Sequence, residues 1–337
     1  MSMGKVLLHF AASVIILAVM LQQWVGISSI WLTMLTIDPL YFLLIIAIPF
    51  IVLYVYSYRW KLLLESVGLK VSQNDAFRYA LIGMLFDNLT PMSRFGGEPV
   101  KGYMLADAKN FPKKRVFASI AVDTVITLIS IIGLLYFSTI GLATYGIMDT
   151  PTVFLIIASA VIPTMLTAYF VYNRSLFISV TGAMSKAIGK IQSKSAGNIE
   201  KEALKFREMI KMSVKRKDIL AKSLMISAAE RLLEIAGLYV IFAALGYPIS
   251  LQSCAIVTSV GIIAGNVPFL PGGLVLFESS SILALGALGV PVLTGTTAIL
   301  ILRFSNYWLM TFVGLLVSWG GGINLSERKH KAFKFGL

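Results

Sequence analysis

The chain has 337 residues, of which 57% are apolar and 13% charged, and its mean hydropathy is +0.84. That composition excludes a soluble domain of ordinary usage, and apolar runs recurring from Val6 to Trp319 leave no room for a separate large soluble domain. A net charge of +13 would suggest nucleic acid in a soluble protein, but here Lys and Arg sit in short segments between apolar runs, which points to anionic lipid and to no nucleic acid.

The first apolar run, Val6 to Met20, has the length of a signal peptide, yet Gln22, Gln23 and Trp24 follow it instead of a small-residue cleavage site, so it reads as an uncleaved span. Runs of about 20 residues, enough to cross the hydrocarbon, fall at 6–25, 40–58, 116–138, 151–172, 219–244 and 294–318. Four shorter pieces, 76–90 with 98–108 and 252–267 with 273–289, form two pairs too short for ordinary spans. The expected fold class is an all-α polytopic membrane protein with six full transmembrane helices and two re-entrant or broken hairpins, 76–108 and 252–289. The segments 59–78, 101–115, 173–218 and the tail after Trp319 are basic, while 25–39, 139–150, 245–251 and 289–293 contain no Lys or Arg. Every basic segment falls inside if both termini are cytoplasmic and each short pair returns to the side it came from. The localisation that follows is the cytoplasmic membrane, in a single membrane domain, 1–337.

The long polar interruption, 173–218, holds eleven Lys or Arg against four acids. Phe177, Val180, Met184, Ile188 and Ile191, then Ile199, Ala203, Phe206 and Ile210, recur at helical spacing and suggest two interfacial helices on anionic headgroups. Ser and Gly between Lys190 and Asn198 read equally well as a solvated linker. Cys254 lies in an apolar context and reads as a packing residue. The chain holds only His9 and His330, with no P-loop, zinc spacing or nucleophile elbow, so neither a cofactor nor enzymatic catalysis is expected.

The stretch Asn88-Leu-Thr-Pro91-Met-Ser-Arg94-Phe-Gly96-Gly97-Glu98-Pro99-Val-Lys101 sets charges and helix breakers between apolar runs, which in hydrocarbon must line protein or water. A second copy occurs at Asn266-Val-Pro268-Phe-Leu-Pro271-Gly272-Gly273, followed by Glu278. Gly68 to Asn88 and Gly246 to Asn266 both span 20 residues, and Glu98 to Asp123 and Glu278 to Arg303 both span 25. The repeat units run over 40–138 and 218–318, and the crossings between them make the copies inverted, with a site near the midplane.

Pro99 suits the first turn of a helix following Gly96-Gly97, and Gly272-Gly273 would open a second helix, so two N-termini would converge on a phosphate with Arg94 or Lys101 adding full charge. Asn88 and Asn266 would bond freed backbone at the tips; the glycines serve equally for close helix packing. Asp123 and Arg303 lie at similar depth and either pair with each other, fixing helix register, or divide the work. In that division Arg303 takes the phosphate, while Asp123, Glu98 and Glu278 take a cationic headgroup or protons. Glu230, Arg231 and Glu234 occur in one half only and suit substrate choice, ion coupling or an internal Arg231–Glu234 salt bridge.

These elements together, Asn88 to Lys101, Asp123, Glu230-Arg231 and Pro271 to Glu278, resemble the lysylphosphatidylglycerol synthase transmembrane family, or flippase-like domain, from about residue 5 to 320. The resemblance implies an inverted-repeat lipid flippase or scramblase that moves an aminoacylated phospholipid or a polyprenyl-phosphate lipid, here without the soluble transferase domain of some members. Membrane lipids, anionic or aminoacylated, are the implied partners; a homodimer and a separate lipid-modifying transferase are the others it admits. Competing readings are an ion- or proton-coupled transporter of a small anion and a membrane subunit that docks a transferase through 173–218.

Overall fold

The computed structural model describes residues 37–90, 94–144, 196–266 and 271–320, together with positions 146, 165, 169 and 173, and every regular element among the described residues is helical. The span expected at 6–25, that at 151–172 apart from positions 165 and 169, and the amphipathic stretch from Phe177 to Ile191 lie outside them.

Helix α1, Pro39–Ser66, starts where Asp38 accepts the Leu40 amide at 2.8 Å and Pro39 supplies a preset first turn. It ends at Gly68, whose φ of +79° reverses the chain without a Cβ penalty. Ser72 then caps α2, Gln73–Leu89, by accepting the Asp75 amide at 3.1 Å. Helices α3, Arg94–Ala108, and α4, Lys113–Thr144, follow. Lys109 bonds Asp75 at 2.6 Å across the base of the α2–α3 pair, and this bond holds the Asp75 carboxyl below the usual range.

After α5, Ala196–Lys215, a similar order recurs. Helix α6, Lys217–Ala244, has 28 residues like α1 and is followed by Gly246 at φ +67°. Ser250 caps α7, Leu251–Gly265, by accepting the Ser253 amide at 3.0 Å. A 3-10 turn at Pro271–Gly273 leads into α8, Leu276–Ala287. The last stretch runs through α9, Val292–Arg303, a π-helical turn, Phe304–Leu309, and α10, Met310–Gly320.

Among the described residues three stretches are long and apolar enough to cross a membrane, Pro39–Ser66, Lys113–Gly141 and Val292–Trp319, as befits a membrane protein. The fourth long helix, α6, matches α1 in length but carries Glu230, Arg231 and Glu234 near its middle. Helices α2, α3, α7 and α8 reach only about 18–26 Å at 1.5 Å per residue.

Two cores organise the packing. Trp60, Leu64, Tyr79, Ile82, Leu105 and Val116 join α1 to α4. Leu238, Phe242, Cys254, Leu285 and Ile299 join α6 to α9, with Ile45 and Leu134 reaching in from the first set. Helices α1 and α6 pack along each other between these cores, α2 packs on α10, and α7 on α4, where Ser138 donates to the Ala255 carbonyl at 3.0 Å.

Several boundaries differ from expectation. The span expected at 40–58 continues to Ser66 because Trp60, Leu63 and Leu64 extend its buried face, so Arg59 belongs to a helix interior and not to a basic loop. Residues 196–198 are helical, not linker, and Ile210 of α5 packs on Leu63, Ala118 and Val122 instead of headgroups. Helix α3 begins at Arg94, so Gly96 and Gly97 lie in its first turn and Pro99 lies inside it.

The glycines allow α2 and α3 to approach closely, since a Cβ on Gly97 would overlap the Gly83 carbonyl oxygen, whereas one on Gly133 would meet open space. Gly97→Ala is expected to cost about 1–3 kcal/mol through overpacking, read as a lower thermal unfolding midpoint in detergent. Gly133→Ala should leave the midpoint unchanged or raise it; equal midpoints for both variants would refute the close approach.

Candidate functional site

A cavity of about 300 Å³ opens between the two sets of helices. Its apolar wall comes mainly from α1 and α6, including Ile45, Pro49, Leu53 and Ile241. Pro49 has no amide to give the Ile45 carbonyl, which interrupts the α1 hydrogen-bond ladder at this wall. Among the expected site residues, Asn88, Glu98 and Lys101 line it from the first set and Glu230, Arg231, Glu234, Asn266, Gly272 and Arg303 from the second. Gly96, Gly97, Gly273, Asp123 and Glu278 stand outside the lining. Arg94 opens α3, and the reading placed on its side chain lies outside what is described.

One charged cluster centres on Arg59, which is fully buried. Its Nε meets Asp123 Oδ1 at 2.9 Å on α4, its Nη1 meets Glu230 Oε2 at 3.3 Å on α6, and its Nη2 donates to Thr127 Oγ1 at 2.9 Å. Nη1 also donates to Ser227 Oγ. The chain of charges continues through Arg231, whose Nη2 lies 3.7 Å from Glu230 Oε2 and whose Nη1 lies 2.6 Å from Glu234. The expected Arg231–Glu234 salt bridge is therefore present. The expected Asp123–Arg303 pair is not: Asp123 forms its ion pair with Arg59, and Arg303 bonds Glu278 Oε1 at 2.5 Å.

The tip of the first pair is closed by its own groups. Tyr56 OH donates to Glu98 Oε1 at 2.9 Å, and Lys101 lies 2.6 Å from Glu98 Oε2 while also bonding the Tyr56 hydroxyl. The Lys101 ammonium stands 4.6 Å from the Trp60 ring centre, a cation–π contact that offsets part of its desolvation. The Gly97 amide, expected to greet a phosphate, donates to Asp87 Oδ1 at 2.7 Å. A carboxylate of the chain thus occupies that helix N-terminus.

At the second tip Gly272 and Gly273 adopt φ of +56° and +66° in the 3-10 turn, and α8 begins only at Leu276, so these glycines do not open a helix. Their left-handed backbone turns the Gly272 carbonyl toward Arg303, whose Nη2 donates to it at 3.0 Å. Asn266 donates to the Ile262 carbonyl at 2.8 Å and satisfies its own helix end. Asn88 instead joins the halves: its Nδ2 donates to Thr311 Oγ1 at 2.8 Å, and Tyr307 OH donates to the Asn88 carbonyl at 2.8 Å. The π-helical turn places Ser305 and Asn306 on the cavity beside Arg303. Among the described residues no group of three or more His, Cys, Asp or Glu is placed to hold a metal ion.

Arg59, Tyr56 and Asp87 were not singled out from sequence. The signal for Arg59 was the apolar periodicity continuing past it to Leu64; for Asp87 it was a carboxylate adjoining Asn88 within an apolar run. Asn306 and the π turn left no such signal.

Comparison with known proteins adds one family and several relatives. The family described as the lysylphosphatidylglycerol synthase TM region matches residues 6–314. A UPF0104 membrane protein of Methanothermobacter thermautotrophicus is 28% identical over 86% of this chain and 88% of its own length. A UPF0104 membrane protein of Methanocaldococcus jannaschii is 25% identical over 89% and 90%, and one of Pyrococcus horikoshii 24% over 88% and 92%.

Removing one partner from a buried ionic cluster leaves its counter-charges uncompensated, at about 3–5 kcal/mol. Arg59→Met should therefore lower the unfolding midpoint far more than Lys61→Met, whose pair with Glu65 is 3.8 Å long and partly exposed. Adding Asp123→Asn and Glu230→Gln to Arg59→Met should restore part of the loss. Equal midpoints for Arg59→Met and Lys61→Met would remove Arg59 from the centre of the site.

Proposed function

The chain belongs to the lysylphosphatidylglycerol synthase transmembrane-region family, and from that premise we propose that it is a lipid flippase or scramblase and not an enzyme. It moves a phospholipid headgroup across the cytoplasmic membrane through the cavity while the acyl chains stay in lipid. The observation that carries this reading is a cavity of about 300 Å³ lined by charged groups from both sets of helices. That volume sits at the lower end of the range for small-molecule sites and suits a headgroup rather than a whole lipid.

The two sets are read as inverted copies around this cavity, in a multi-pass protein of six full spans and two hairpins with both termini cytoplasmic. Support comes from the matched lengths of α1 and α6, the left-handed glycines at Gly68 and Gly246, and the capping serines at Ser72 and Ser250. The cross-packing supports it too, because α2 meets α10 in the second set as α7 meets α4 in the first.

Charge selects among lipids. Asp87, Glu98, Asp123, Glu230, Glu234 and Glu278 stand against Arg59, Lys101, Arg231 and Arg303 in the cavity and directly behind it. With all ionised, carboxylates outnumber cations by two. An excess of this sign inside a low-dielectric wall favours a cationic, aminoacylated headgroup over a polyprenyl phosphate or a small anion. Arg303 is assigned to the phosphodiester: its Nε and Nη2 are held by Glu278 and the Gly272 carbonyl, whereas Lys101 is enclosed by Glu98, Tyr56 and Trp60 and Arg231 is held between Glu230 and Glu234.

In proteoliposomes, transbilayer movement of a fluorescent aminoacylated phosphatidylglycerol should fall by about tenfold or more in Arg303→Ala and in Glu98→Ala, the loss expected from about 1.4 kcal/mol. Unchanged flux in both variants at equal protein incorporation would sink the assignment.

A further inference from the structure

The Arg59 cluster holds three carboxylates, Asp123, Glu230 and Glu234, against two guanidinium groups, Arg59 and Arg231. Within it Glu230 is the poorly served member. Its Oε2 is shared between Arg59 at 3.3 Å and Arg231 at 3.7 Å, and its Oε1 is buried with no hydrogen-bond partner among the described residues. Asp123 Oδ1 and Glu234 Oε2 also lack a well-aligned hydrogen bond, but each has a close ion-pair partner, Arg59 Nε at 2.9 Å and Arg231 Nη1 at 2.6 Å, and part of the Glu234 side chain is exposed.

We infer that Glu230 is a proton-binding site coupled to the headgroup cavity, so that the protein exchanges a proton for a cationic headgroup. This coupling rests on the transport reading above; the proton site does not. The reasoning is electrostatic. A net negative cluster and a bare buried carboxylate oxygen are both costly inside a membrane; one proton on Oε1 removes the first cost by cancelling the charge and lowers the second, because an unpartnered neutral carboxyl is far cheaper to bury than an unpartnered carboxylate. The O–H bond forms with a proton from the water phase facing the cavity and breaks to return it to the phase on the other side.

A metal cation fits the same excess charge less well, because both guanidinium groups press on the carboxylate and a hard cation needs about six oxygens around it. The buried charged groups on the elements packed against α6 are Arg59 of α1, Asp123 of α4, Arg207 of α5 and Arg303 of α9, while α7 has none. Tyr56 of α1 adds a phenol whose ring centre lies 5.3 Å from the Arg59 guanidinium. None of these is positioned to supply Glu230 Oε1 with a donor.

Glu230, Arg231 and Glu234 all line the cavity, so an ammonium group entering it meets the same excess charge as the proton. The two then exclude each other, and by linkage each weakens the other's binding by the same factor. This exchange gives a function to the set Glu230, Arg231 and Glu234, which occurs in one half only.

Infrared difference spectra of the purified protein in nanodiscs, taken between mildly acidic and mildly alkaline pH without substrate, test the site. A protonated-carboxyl carbonyl band is expected in the wild type, absent in Glu230→Gln and retained but shifted in Glu230→Asp. A band that persists unchanged in Glu230→Gln overturns the assignment, as does the same carboxylate change produced by sodium at constant pH. Wild-type proteoliposomes test the coupling: an imposed pH gradient should accelerate movement of the aminoacylated lipid several-fold. Lipid movement indifferent to the gradient overturns the exchange, whereas no lipid movement at all would overturn the transport reading and leave the infrared result to decide the proton site.

Discussion

Arg59 is completely enclosed and ties α1, α4 and α6 together at one point through Asp123, Thr127, Ser227 and Glu230. In hydrocarbon a guanidinium with unmet donors is among the costliest groups a fold can contain. Its five N–H donors therefore demand acceptors, and the neighbouring helices bring up four oxygen-bearing side chains, with the Nε–Asp123 contact an ion pair. The consequence reaches the cavity: once Arg59 claims Asp123 and half of Glu230, the remaining carboxylates Glu230 and Glu234 are turned inward with Arg231. The wall of the site is what is left over from satisfying one buried cation.

Much of the helix order was legible because membrane helices announce themselves by composition. The apolar runs at 40–58, 116–138, 219–244 and 294–318 each contain a long helix, and the short pieces emerge as the paired helices α2–α3 and α7–α8. Ends were less legible for a physical reason. A helix continues as long as its buried face continues, and a charged residue such as Arg59 does not stop it when Trp60 and Leu64 keep packing. The sequence pattern treats charge as the edge of the membrane; the fold treats it as a group to be paired.

The site was legible in its membership and less so in its pairings. Asn88, Glu98, Lys101, Asn266, Gly272 and Arg303, each expected from the two related motifs or the spacing that follows them, line one cavity. Which acid meets which base depends on side-chain reach, and depth estimates are blind to that. Residue counting puts Asp123 and Arg303 at similar depth, but Arg59 lies against Asp123 and Glu278 against Arg303, and proximity decides electrostatics in a low dielectric. The helix N-terminus at Gly97 failed as an anion site for the same reason, since Asp87 reaches it first.

That internal carboxylate changes how the cavity has to be read. A helix N-terminus left open would attract phosphate, whereas one already neutralised by Asp87 does not, and the balance of the cavity then falls to its side chains. Their sum is negative, with Arg303 backed by Glu278 and Lys101 backed by Glu98. Each cation is thus delivered with its own acid, while Glu230 and Glu234 share Arg231 and the already divided Arg59. The asymmetry between the halves consequently lies in α6, where charge is added that α1 answers only through Arg59. An inequality of this kind biases a low-dielectric cavity toward one ligand charge over the other.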